Sequence, residues 1–182
     1  MNIDKLAKEI YEQNVKVGWW DNPERCILET MQLVSTEIAE ATEGERKNLM
    51  DDHLPHRIMA EVELADTLIR VLDLGGHFEW HYYSLTEVNP MFSSVGSRAS
   101  MHLSCNAALI LLANTYINQV SGMGNRKSNL EWRYSALIKT IIKTSELCGY
   151  DIESAMHEKL EYNKTRSDHQ RENRAKENGK KF

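Results

Sequence analysis

Leu33-Val34-Ser35-Thr36-Glu37-Ile38-Ala39-Glu40-Ala41 and Glu63-Leu64-Ala65-Asp66-Thr67-Leu68-Ile69-Arg70 are the two stretches on which the fold turns. In each, apolar residues recur every three to four positions, the period of a helix rather than the alternation of a strand. In each, two acids stand three apart and so share one patch of helix surface. Extended in both directions, the first pattern gives the stripe Leu28, Met31, Val34, Ile38 and Ala41, on a helix running to about Leu49. The second gives Ile58, Val62, Ala65, Ile69 and Leu72. Asn22 and Pro23 read as the N-cap and first-turn proline of the former. Asp51 to Pro55 read as the loop between the two, and Gly75-Gly76 as the end or a kink of the latter.

The helical period continues outward. Leu6, Ile10 and Val17 mark one face of a first helix over Ile3 to Val17, and Gly18 to Pro23 form the break after it. His77 to Ser100, with Pro90, Gly96 and several serines, read as a long connection. Further helices are predicted over Met101 to Val120, Leu130 to Cys148 and Ile152 to Lys164, with a loop over Gly122 to Asn129 and a turn at Gly149 to Asp151. Nothing alternates long enough to build a sheet. The expected fold is all-α, a helical bundle, in one domain over residues 1–166, with a polar and mobile tail over 167–182.

Composition narrows the function classes. Apolar residues are 41% and charged residues 27% of 182, enough for a core without staples. The formal net charge of -5 gives no reason to expect a nucleic-acid partner. Arg166, Arg171, Arg174, Lys176, Lys180 and Lys181 make the tail basic, but Asp168, Glu172 and Glu177 dilute it. Cys26, Cys105 and Cys148 form no C-x-x-C pair, and each sits in a helix-like stretch where a reduced core thiol is expected. Met1 to Glu9 do not read as a signal peptide, and the longest apolar run, Ala107 to Ala113, is too short for a bilayer. No membrane partner and a cytoplasmic location are the expectations, the host cytoplasm if the chain is phage-encoded.

The chemistry is expected from the two acidic pairs. Glu37 and Glu40, and Glu63 and Asp66, border the apolar stripes rather than lying opposite them. Packing the stripes together brings four acids to one cleft. Clustered carboxylates either take up protons or bind cations. Oxygen donors without His or Cys favour magnesium or manganese, whose remaining coordination positions suit phosphate oxygens. One such pair alone is an ordinary wet helix face; two on consecutive helices, both bordering the core side, arise by chance much less often, and a structural bundle with the acids on a wet face is the competing reading. Glu43 and Glu61 lie near the pairs and read as outer groups or plain surface acids. Rival patterns fail: there is no Glu-x-x-His di-iron pair, no complete zincin motif after His157-Glu158, and no glycine-rich phosphate loop.

With those residues in place, the chain resembles the MazG-like family of all-α nucleoside triphosphate pyrophosphohydrolases. Its E-x-x-E, spacer, E-x-x-D signature corresponds to Glu37-x-x-Glu40 and Glu63-x-x-Asp66. Gly18-Trp19-Trp20-Asp21 is similar to a segment of phage-type and bacterial members, and Lys159-Leu160-Glu161-Tyr162-Asn163-Lys164-Thr165-Arg166 to the family's K-x-x-x-N-x-x-R element. Thr36 replaces an additional Glu of many members, and Ser167-Asp168-His169 stand where many continue with Pro. Residues 77–149 fall outside the resemblance.

The resemblance implies a magnesium-dependent enzyme, with manganese a substitute, that cleaves a nucleoside triphosphate to the monophosphate and pyrophosphate. Glu37, Glu40, Glu63 and Asp66 would be its metal ligands and catalytic carboxylates. Lys159 and Arg166 would bind the triphosphate, Asn163 a phosphate or sugar oxygen, and Tyr162 would stack or hydrogen-bond. Trp20 would pack on the base and Asn14 read its edge. A homodimer or homotetramer is implied, with Leu103, Ile110, Leu111, Ile117, Leu137, Ile141 and Ile142 either forming the interface or covering the chain's own core. The expected substrate is dGTP or GTP, as in phage diaminopurine nucleotide synthesis. The alternatives are a pyrimidine or house-cleaning pyrophosphohydrolase, and a non-catalytic nucleotide-sensing or partner-binding helical module.

Overall fold

The computed structural model describes residues 1–84, 96–123, 127–169 and 171–174. Among them the chain forms seven α-helices and no strand: α1 (Ile3–Lys16), α2 (Ile27–Lys47), α3 (Met59–Phe78), α4 (Arg98–Val120), α5 (Lys127–Cys148), α6 (Ile152–Thr165) and α7 (Arg171–Arg174). One turn of 3₁₀ helix, Ser167–His169, separates the last two. The architecture is an all-α bundle, and no helix among the described residues is long and apolar enough to cross a membrane.

α3 is the hub. It packs against α1, α2, α5 and α6, while α4 closes the bundle against α2 and α5. The reason is in its sequence. From Ala60 to Gly75 nearly every residue is buried, not one stripe as the period suggested. A helix that is apolar almost all round finds a stable place only at the centre. The acids on such a helix are carried inward with it, which is how Glu63 comes to be buried.

Several boundaries differ from the sequence-based expectation. α2 begins at Ile27, and its N-cap Cys26 makes no side-chain cap bond. Asn22 instead accepts from the Glu24 amide at 3.0 Å, a local turn ahead of the helix. Leu28 is exposed, so the stripe starts at Met31. Cys26 is exposed too, and only Cys105 and Cys148 are buried thiols. Gly75 and Gly76 do not end α3, which continues to Phe78 and stops with Glu79 in the left-handed conformation at φ 52°. Their role is close packing. A β-carbon on Gly75 would stand 2.3 Å from the Tyr134 hydroxyl of α5, and one on Gly76 would stand 2.3 Å from the Ala7 carbonyl oxygen of α1. Of the 77–100 connection, 85–95 lie outside the described residues, and α4 already starts at Arg98, capped by Ser97.

α2 and α4 meet partly through polar groups. The Thr42 hydroxyl donates to the Ile38 carbonyl at 3.0 Å, so its oxygen accepts from Nδ1 of buried His102 at 3.1 Å. Nε2 of His102 is left as a bare lone pair with no partner. Protonating it would place an unpaired N–H in the core, and burial pushes the imidazole down to about 4. The unfolded chain therefore takes up that proton first. Stability is full above the ordinary pKa of about 6.5 and falls as pH drops from there to about 4, by about 3 kcal/mol. Urea unfolding of His102→Leu should lose much of this slope; an unchanged slope would show that another group titrates.

Candidate active site

Four elements converge on one cavity of about 460 Å³. α2 contributes Glu37 and Glu40, and α3 contributes Glu63, Asp66, Arg70 and Asp73. α6 contributes Lys159, Asn163 and Lys164, and its C-cap Arg166 follows. The end of α1 and the loop after it add Gln13, Asn14 and Trp19. The spacings explain the gathering. Residues 63, 66, 70 and 73 recur at three and four, and 159 and 163 stand four apart, so each set occupies one face of its helix, while Arg166 is the extended C-cap just beyond α6.

At the floor, Glu37, Glu63 and Asp66 each present a carboxylate oxygen, all within 4.8 Å of one another. Glu37 and Glu63 are buried and Asp66 half-buried. Glu37 is held by Arg70, Nε to Oε1 at 2.6 Å, and Asp66 by Lys159, Nζ to Oδ2 at 3.0 Å. Lys159 is only 2% exposed, so its single charge serves the acids and not the surface. Burial alone would lower its pKa, but the facing charges of Asp66 and Glu63 outweigh this and the net direction is up. Burial, reinforced by the Asp66 charge, pushes Glu63 up to about 9 against the pull of Lys159. Burial likewise raises Asp66, and Glu40 is raised by burial and then by the Glu37 charge. Three carboxylates share too little positive charge to stay ionised together; a divalent cation would supply what is missing.

Of the four acids expected to converge, three do. Glu40 lines the same cavity but is exposed and stands outside the cluster. Lys159, Asn163 and Arg166 line the cavity as well, and the Asn163 Oδ1 is a buried acceptor with no partner. Tyr162 lines an adjoining cleft with His53, their rings 4.8 Å apart. Glu61 and Glu43 belong elsewhere. Glu61 is buried, pairs with Arg57 at 3.0 Å and accepts from the Asp151 amide at 2.7 Å, fastening α3 to the start of α6. Glu43 pairs with Arg46 and Lys47 on its own helix.

At the other end, Trp19 and not Trp20 lines the cavity. Trp20 stacks on His77 with centroids 4.0 Å apart, carries the Arg25 guanidinium 4.5 Å from its ring centre, and donates its indole N–H to Asp73 at 3.0 Å. Asn14 bonds Asp73 as well. Sequence reasoning missed Arg70, Asp73, Arg25 and Trp19. Arg70 and Asp73 follow Asp66 by four and seven, so extending the face beyond the motif would have found both. Which of two adjacent tryptophans faces inward depends on the loop conformation, for which the sequence carries no period.

Of the tail, Ser167–His169 and Arg171–Arg174 are helical turns. They lie beside the cavity, with the His169 ring edge-on to Trp19 at 5.4 Å and Arg171 paired to Asp21 at 2.5 Å. Residues 170 and 175–182 lie outside the described residues. No protein-family model, no curated protein and no solved structure matches this chain.

Proposed function

We propose that this protein hydrolyses a nucleoside triphosphate to the monophosphate and pyrophosphate with magnesium, or manganese in its place. The observation that carries the reading is the convergence of Glu37, Glu63 and Asp66 within 4.8 Å at the floor of a cavity whose walls bear Lys159, Arg70, Lys164 and Arg166. The acids fit a hard divalent cation, since every donor is a carboxylate oxygen and the three, when ionised together, outnumber the paired cations Lys159 and Arg70. When bound, such an ion supplies charge neutralisation at the phosphates and a more acidic water.

The remaining work falls to the chain. Lys164 and Arg166 supply cationic contacts for the outer phosphates, Arg by its forked donors. The unpartnered Asn163 Oδ1 accepts from a sugar hydroxyl. Water attacks the α-phosphorus, the bond to the bridging oxygen breaks, and pyrophosphate leaves with that electron pair. Glu40, at the exposed rim beside the triad, takes the water's proton. No covalent nucleophile enters this scheme. Pyrophosphate release should be measured for all eight common ribo- and deoxynucleoside triphosphates with and without Mg²⁺. Release that requires the ion supports the reading, and no release from any of the eight sinks it.

The same proposal includes assembly as a homodimer or homotetramer. The outer face of α4 leaves Leu103 56% and Ile110 58% exposed, with Leu111 and Ile117 beside them, while Leu137 and Ile141 of α5 are spent in the chain's own core. Leu103, Ile110 and Ile117 recur every seven residues, so they stand on one side of α4, and an exposed apolar stripe of this kind supports an association surface. Sedimentation should give a mass of two or four chains, falling to one chain in Ile110→Glu; a monomeric wild-type protein refutes the assembly.

A further inference from the structure

The cavity has a second anchoring group away from the triad. Asp73 follows Asp66 by seven residues, two turns on nearly the same face of α3, which places it about 10 Å farther along the axis. A nucleotide covers a comparable distance from its phosphate to the far edge of its base. Asp73 lines the cavity and is buried. Its carboxylate is fixed in place by the Trp20 indole, which donates to Oδ1 at 3.0 Å, and by Asn14. Trp20 is itself fixed by its stack on His77 and by Arg25. A carboxylate has about four acceptor positions, and these two partners leave some of them open. Burial pushes the carboxyl up to about 6, so the group is an anion at neutral pH.

We infer that Asp73 is the base-reading residue of this cavity, its carboxylate accepting from the two adjacent N–H donors of a guanine ring. The inference rests on the proposed function in one respect: a nucleotide lies in the cavity with its phosphates at the triad. An ionised carboxylate only accepts. Guanine offers the ring N1–H beside the exocyclic amino group, two donors side by side. Adenine and cytosine place a ring acceptor next to their amino group, and uracil and thymine flank one donor with carbonyls. Against these, Asp73 would set acceptor against acceptor, and a site built to hydrogen-bond one edge rejects the edge that lacks it. Asn14 and Trp20 thereby become positioning residues that aim Asp73. The base stacks instead on Trp19, the tryptophan that lines the cavity.

The test is equilibrium binding of GMP, AMP, CMP and UMP, none of which is a substrate for pyrophosphate release, to the full chain in buffer containing Mg²⁺, by calorimetry, for wild type and Asp73→Asn. Asn keeps the size and the acceptor for Trp20 but replaces one acceptor by a donor. Wild type should favour GMP over each of the others by about 10-fold or more, and Asp73→Asn should lower that ratio roughly 10- to 100-fold. A uniform loss for all four nucleotides would make Asp73 a loop anchor only and overturn the inference. A wild type that binds the four alike, or none at millimolar concentration, overturns it too. Hydrolysis fails separately. GMP selectivity without pyrophosphate release from GTP would refute the reaction and keep the role of Asp73, whereas equal turnover of all bases would refute that role and keep the reaction.

Discussion

Glu63→Gln is expected to reduce magnesium-dependent pyrophosphate release by about a thousandfold while making the metal-free protein harder to unfold. Both effects come from one geometry. Glu63 is the carboxylate that α3 buries most awkwardly, facing Asp66 on its own helix and hydrogen-bonded to Glu37 across the cleft. With the amide, the cavity keeps its shape but loses a charged oxygen donor. Removing one preorganised group of this kind commonly costs a factor of 10² to 10³ or more, about 3–4 kcal/mol of barrier. The same change removes the cost of protonating Glu63 on folding, a cost set by its burial and by Asp66 and Glu37, whose oxygens lie within 4.8 Å. A gain of about 1–2 kcal/mol is typical where stability was given up for function. Magnesium should raise the melting temperature of the wild type and leave that of Glu63→Gln nearly unmoved, since a ligand stabilises only the state that binds it. Unchanged turnover in Glu63→Gln would remove the triad from the reaction. A drop in its metal-free stability would show that the triad is a structural network instead.

Gly76→Ala should cost about 3 kcal/mol or more of stability. The added β-carbon would stand 2.3 Å from the Ala7 carbonyl oxygen and 2.6 Å from the Tyr11 β-carbon. The first of these atoms is backbone of α1 and cannot rotate away, so α1 and α3 must separate. Overpacking a core typically costs 1–3 kcal/mol, and the end of α1 that must move carries Gln13 and Asn14 of the cavity. Gly149→Ala is the comparison. Its φ of +78° strains any side chain, but a β-carbon there meets nothing within 4 Å. That strain is worth about 1–2 kcal/mol. Urea unfolding of the three proteins measures both costs, and equal losses for the two variants would mean that helix–helix contact at Gly76 is not the constraint.

Apolar period alone was enough to find the first six α-helices to within a few residues, though not α7 in the polar tail, because a helix exposes its burial pattern every three to four residues whatever lies opposite it. The acids of α2 and α3 were legible for the same reason, as was the face of α6 that carries Lys159 and Asn163. What failed was anything set by a partner. Gly75 and Gly76 look like a helix end in isolation, yet they are the places where Tyr134 and the Ala7 backbone cross α3. Asn22-Pro23 looks like a helix start, yet the chain spends that signal on a turn and begins α2 four residues later.

Local periodicity by itself determined that the chain is helical and that Glu37, Glu63 and Asp66 sit on the inner sides of their helices. Only the tertiary structure decided that Glu40 stays at the rim, that Lys159 and Arg70 each claim one acid, and that Trp20 aims Asp73 while Trp19 faces the cavity. The division has a physical cause. A helix face is a property of spacing within one segment, whereas an ion pair, a close crossing or an inward-facing loop side chain depends on distances between segments far apart in the chain.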